Sequence, residues 1–126
     1  MQMPVNVWVT ALLLILAISG CVSPLTSPPV GRLSSDQYAR FKSMAVSREP
    51  TTRPHTMLGS VKGLSCSKNI NQQISEEEAI EGVQLRAALL DADAIVNVVC
   101  KTSGVDWVNN CRSAIICAGD AIRYKQ

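Results

Sequence analysis

Five cysteines carry most of the chemistry this chain could perform. Cys21 stands alone at the end of an apolar run, and Cys66, Cys100, Cys111 and Cys117 punctuate the last half, between apolar segments. A thiol placed like Cys21 is a candidate for acylation. Four thiols beyond an export signal are expected to form two disulfides. Zinc is the rival use of four cysteines, but the gaps of 34, 11 and 6 positions contain no Cys-x-x-Cys knuckle. That spacing argues against a metal site and against a redox-active dithiol. Three pairings are possible and spacing alone does not choose among them. Cys111 and Cys117 would lie roughly 20 Å apart on an extended strand and should not pair. Cys100 and Cys111 could pair locally if they flank a simple hairpin loop. His55, the single histidine, follows Pro54 and reads as a surface loop residue. No Ser/His/Asp set, Cys/His pair or phosphate loop is present, so the sequence predicts neither an enzyme nor a cofactor.

Around Cys21 the sequence reads as a lipoprotein leader. Val5 to Gly20 is almost uninterrupted apolar sequence. As a helix it would span roughly 24 Å, short of the ~30 Å hydrocarbon core, which suits a signal peptide better than a permanent span. No Lys or Arg precedes it. Ile18-Ser19-Gly20-Cys21 has the bacterial lipobox pattern, an aliphatic and two small residues before the modified cysteine. Residues 1–20 would then be removed and Cys21 would carry the acyl chains. Each buried methylene contributes about 0.8 kcal/mol, so several chains make a stable anchor. Val22 follows where Asp would favour retention at the inner membrane, so the expected location is the outer membrane, with the domain facing the periplasm.

Residues 21–55 read as a lipidated, partly disordered tether holding five of the six prolines. Extended, Val22 to Asp36 could reach roughly 45 Å. Between Val22 and Lys62 there are six basic residues against two acids; from Gly63 onward there are six against eight. A basic arm of this kind could lie along anionic headgroups or an acidic channel, or serve as a solvated linker. The net charge of +2 gives no reason to expect nucleic-acid binding. Within the arm, Gln37 to Ser47 suits a short helix (Tyr38 and Phe41) or an edge strand (Phe41 to Val46). Phe41, the only Phe, is expected to cover one side of the core.

Residues 56–126 read as an α+β domain, a small β-α-β-β sheet with one main helix packed on it. Thr56 to Lys62 is a strand ended by Gly63, and Cys66 follows in a polar loop. Ser75-Glu-Glu-Glu78 is a capping-box signature, Ser75 accepting from the Glu78 amide and Glu78 reaching back. The three acids complement the helix dipole rather than hold a cation. Ile80, Val83, Ala87 and Leu90 should face the sheet, with Glu81, Gln84 and Arg86 toward water. Ala94 to Cys100 is a β-branched run that suits a buried strand parallel to the first. Lys101 to Asn110 is a polar loop, Arg112 to Cys117 a third strand, Ala118-Gly-Asp120 a bend or bulge, and Ala121 to Tyr124 closes the sheet. Trp107 in the loop should fold back onto the core; exposed, it would be an anchor for a partner. About 70 residues bury too little surface to be comfortably stable on a core alone, so cross-links fit the size.

Gly59-Ser-Val-Lys-Gly-Leu-Ser-Cys66, the helix leading into Ala92-Asp-Ala-Ile-Val-Asn-Val-Val-Cys100, Thr102-Ser-Gly104 and Cys111-Arg-Ser-Ala-Ile-Ile-Cys-Ala-Gly119 resemble the RcsF family. These are outer-membrane lipoproteins that sense envelope stress for the Rcs phosphorelay. The likeness covers roughly residues 57–126, together with the lipobox and a proline-containing tether. It implies the disulfides Cys66–Cys111 and Cys100–Cys117. It also implies contacts with outer-membrane β-barrel proteins, with the barrel-assembly machinery that loads them, and with an inner-membrane repressor of the relay. The tether here carries fewer prolines and more apolar residues than the family's. A lipoprotein binding a small ligand or heavy metal, or one with a purely structural role, is the alternative.

Overall fold

The computed structural model describes residues 25–126. The apolar run Val5–Gly20, the lipobox, Cys21 and Val22 lie outside the described residues. A single 3-10 turn at Val30–Arg32 leads into α1 (Ser35–Ser43) and β1 (Ala45–Val46). Then come β2 (His55–Ser67), α2 (Glu76–Leu89), β3 (Ala94–Ser103) and β4 (Ser113–Tyr124). The four strands form one mixed sheet in the order β1-β3-β4-β2. β2 and β3 are both antiparallel to β4. They therefore run parallel to each other, as the β-α-β reading requires, with β4 inserted between them. β1 adds in parallel to β3 through Ala45 and Val46. The α+β class, the sheet with its main helix and the two disulfides are as the sequence predicts.

Residues 37–47 resolve into both forms that their pattern allows, helix to Ser43 and then a two-residue edge strand. α1 starts on a complete capping box: the Gln37 amide donates to Ser34 Oγ (3.2 Å), and the Ser34 amide donates to Gln37 Oε1 (3.0 Å). The stretch expected as tether contributes to the core. Met44 is buried, and Leu33, Phe41 and Val46 pack beside it. Arg40 bridges to Asp93 (2.6 Å), whose other oxygen accepts from the Tyr124 amide (2.9 Å), so α1 is tied to the start of β3 and the end of β4. Gln84 donates to the Met44 carbonyl (3.4 Å) and Arg86 donates to the Thr26 carbonyl. These two helix residues, expected to face water, face the earlier chain instead.

Gly63 does not end its strand. β2 continues four residues past it and takes in Cys66, with Val61, Gly63, Ser65 and Ser67 buried on one face. The reason is the approach of α2. A Cβ on Gly63 would overlap the Ala79 carbonyl oxygen and come within 2.6 Å of the Val83 amide nitrogen. Gly82 approaches from the helix side, where an added Cβ would lie 3.1 Å from Gly63 Cα. The two glycines thus permit strand and helix backbones to touch. The buried side of α2 is correspondingly small: Ala79, Gly82, Val83, Leu85, Ala87 and Ala88. Val83 and Ala87 are buried as expected and Ile80 is half-buried, but Leu90 lies past the helix end and is exposed.

The expected irregularity at Ala118–Asp120 is also absent, because β4 runs through it unbroken. The bulge lies on the opposite strand, between Val96 and Val99, where Asn97 takes a left-handed φ of 56°. Asn97 Nδ2 donates to Asp120 Oδ2 (2.9 Å), and the Val98 amide donates to the Ser47 carbonyl (3.1 Å), so the displaced residues are satisfied from both sides. A second bulge, between Met57 and Gly59, inverts the facing of β2. Leu58 and Val61 consequently both pack on the core, while Met57 is exposed. His55 opens β2 opposite Tyr124 rather than lying in a loop.

Because the Gly63 site has backbone on its far side, it cannot yield. Gly63→Ala is expected to cost about 3 kcal/mol or more, the upper end for overpacking. Gly104, with nothing within 4 Å, serves as the control, and Gly104→Ala should be near neutral. Chemical denaturation with the disulfides intact measures both; a Gly63→Ala loss under 1 kcal/mol would contradict the contact.

Candidate functional site

The cysteines and the long β3–β4 loop gather at one end of the sheet. β2 and β3 finish there, and β4 and α2 begin. Cys66 on β2 bonds Cys111, two residues before β4, with Cα atoms 5.4 Å apart. Cys100 and Cys117 face each other directly on β3 and β4, with Cα atoms 4.0 Å apart, and are bonded. The bridges interleave: the first spans 45 positions, and both partners of the second bracket Cys111 in sequence. Neither the local pairing Cys100–Cys111 nor the disfavoured Cys111–Cys117 is formed.

Asp106 organises the loop. It exchanges two backbone hydrogen bonds with Cys111 (2.9 Å each), enclosing the four-residue turn 107–110. Its Oδ1 accepts from the amides of Val108 and Asn109 (3.0 Å each), and its Oδ2 accepts from Asn109 Nδ2 (2.7 Å). These donors, led by the Asn109 side chain, hold the Asp106 carboxyl below the usual carboxylate range. Asn110 closes the turn with a left-handed φ of 56°, a conformation asparagine tolerates. With its polar groups turned inward, the loop presents its apolar ones outward. Trp107 is 88% exposed, Val105 57% and Val108 51%. The expected folding of Trp107 onto the core is therefore overturned: the Asp106 turn faces it away. Ile70, on the connection after β2 at this same end, is 78% exposed.

The α2 terminus beside this end is capped differently from the sequence reading. Ser75 Oγ does accept from the Glu78 amide (3.1 Å). Glu78, however, does not reach back to Ser75. Buried Ser65 on β2 stands between them: it accepts from the Ser75 amide (3.0 Å) and donates to Glu78 Oε2 (2.5 Å). Glu76 pairs with Arg48. Among the described residues, no group of three or more His, Cys, Asp or Glu side chains could hold a metal ion. The arrangement is a covalently braced platform with an exposed apolar tip. Sequence reading found the cysteines and Trp107 but missed the roles of Asp106, Asn109 and Ser65. An Asp-x-x-Asn run between flexible residues was the available signal for the turn.

No family model matches the chain, and no curated protein matches it. Among solved structures it is similar to a protein of unknown function of the DUF74 family from Pediococcus pentosaceus. That likeness has 20% identity and a TM-score of 0.50, and covers 65% of this chain and 98% of the other. At that identity it concerns the fold alone.

Two measurements probe the platform. In the chain-entropy account the 45- and 17-position bridges are worth about 4 and about 3 kcal/mol. Replacing Cys66 and Cys111 by Ser should thus lower the denaturation midpoint more than replacing Cys100 and Cys117, and the reverse order would contradict that account. For Asp106 the sign follows from its lowered pKa. The turn is at full strength above the ordinary value of 3.8 and weakens as the pH falls through the lower folded value. The Val108 and Asn109 amide NMR signals should titrate together with a midpoint below 3.8, and Asp106→Ala should abolish that step.

Proposed function

We propose that this chain is an outer-membrane lipoprotein that reports envelope stress to an Rcs-type phosphorelay through protein contacts. The observation that carries the reading is the interleaved pairing Cys66–Cys111 and Cys100–Cys117. Spacing left more than one pairing open, and the one formed is the one that the RcsF resemblance implies. The lipobox ending at Cys21 supports an anchor in the membrane, and the braced sheet end supports a rigid surface for docking. In this reading the partners are outer-membrane β-barrel proteins, the machinery that assembles them, and an inner-membrane repressor of the relay. The protein acts by being held or released, without catalysis, cofactor or nucleic acid.

In its own bacterium, deleting the gene should abolish induction of a relay-dependent reporter by an agent that permeabilises the outer membrane. The wild-type gene should restore induction, and Cys100→Ser or Cys117→Ser should not. Undiminished induction in the deletion strain would overturn the proposal. Palmitate labelling that survives Cys21→Ser would overturn the anchor.

A further inference from the structure

The exposed loop tip and the chain leaving the proposed anchor meet. The Leu25 amide donates to Asn109 Oδ1 at 2.5 Å. Asn109 lies two positions from Trp107 and is itself held by Asp106. The next residues continue onto α2, where the Thr26 carbonyl accepts from Arg86 and a Cβ on Gly82 would meet Ser27 Oγ at 3.1 Å. Only four positions separate Leu25 from Cys21, a reach of at most about 14 Å for extended chain. The ~45 Å reach allowed by an extended Val22–Asp36 is therefore not used when Leu25 is bound. With Leu25 so bound, the domain lies within the shorter, four-position reach of whatever holds Cys21.

From this juxtaposition we infer that Val105, Trp107 and Val108 form a second membrane contact, seated in the headgroup interface of the leaflet that holds acylated Cys21. The inference rests on the lipid-anchor reading of Cys21. The chemistry suits that seat. Tryptophan favours the boundary between headgroups and acyl chains, where the ring is buried and its N–H stays wet. The two valines flank it on the same turn. Part of the turn's polarity is met internally, because Asp106 accepts from the Val108 and Asn109 amides and from the Asn109 side chain. Moving the tip toward the headgroups, where the remaining polar groups stay hydrated, leaves these three donors paired. A single inserted loop binds weakly, but a tethered one needs little affinity, since the anchor keeps it at high effective concentration near the bilayer.

The test uses the native lipidated protein in vesicles of phosphatidylethanolamine and phosphatidylglycerol. Trp8 lies in the leader, so a chain beginning at Cys21 has Trp107 as its single tryptophan. Its emission should shift to the blue relative to the soluble, unacylated protein made without the leader and Cys21, residues 22–126. A nitroxide near the headgroup should quench it more than one at the acyl terminus, and Asn109→Ala should weaken that quenching. Emission unchanged from the soluble protein, in a chain whose mass confirms the acyl groups, would overturn the membrane seat and leave the anchor standing. Shielding of Trp107 only after an outer-membrane barrel protein is added would also overturn it, in favour of a protein contact. A mass without acyl groups would overturn seat and anchor together.

Discussion

The contact between the backbones of β2 and α2 at Gly63 sets the terms for the rest of the molecule. Helix and strand can touch only where both sides lack bulk, so the buried face of α2 is built from alanine, glycine and single larger residues such as Val83. The core between the layers is correspondingly thin. Its largest fully buried side chains are Ile95 and Val83, with no aromatic among them; Ile122 is buried in a separate cluster with Ala94 and Val96. Apolar burial at about 25 cal/mol per Å² gives such a core modest driving force. Stability has to be supplemented, and two devices do so. The chain before β2 wraps α1, Met44 and β1 onto the open side of α2 and the edge of β3. At the far end of the sheet, covalent bonds take over.

The two bridges divide that task. Cys100–Cys117 joins neighbouring strands already paired by hydrogen bonds, and fixes their register just beyond the bulge at Asn97, where a slip would be least resisted. Cys66–Cys111 joins an edge strand to a loop that has no ladder of its own, and sets where β4 begins. Because loop position is held by sulfur and by the Asp106 carboxylate, none of the loop's apolar side chains is needed for the core. They are left outside, and this is the surface on which the proposed contacts draw.

Much of the plan could be read from residue order. Helix α2 declared itself through Ser75 and the acids that follow, and β3 through its β-branched run. The cysteines announced a stapled domain. Most of the misreadings share one cause, contacts made across the fold, while that of Trp107 is local. Gly63 looks like a stop because glycine disfavours strands locally; here it is required by a helix that arrives afterwards. Gly119 looks like a bend, yet its lack of a side chain makes room for Ile95 and Val98, whose methyl carbons a Cβ would approach to 2.6 and 3.0 Å. Trp107 looks like core because it is large and apolar, but a carboxylate one position earlier decides which way it faces. Likewise, the proline-bearing stretch before β2 has the composition of a linker and becomes packed structure through partners distant in sequence, as Arg40 does with Asp93, 53 positions away.

The Ser65 relay gives the helix start an unusual dependence. In α1 the cap is closed by residues of the helix itself, Ser34 and Gln37, and can form in isolation. In α2 one of the first amides and the Glu78 carboxylate are both satisfied by a hydroxyl on a strand ten positions earlier. That terminus has no complete local way to close. Helix ends ordinarily fray ahead of the body they belong to. Here fraying of the first turn and loosening of β2 are one event, so the Ser75 amide should exchange with solvent on the schedule of the sheet, and the boundary between helix and strand is not a seam along which the domain comes apart.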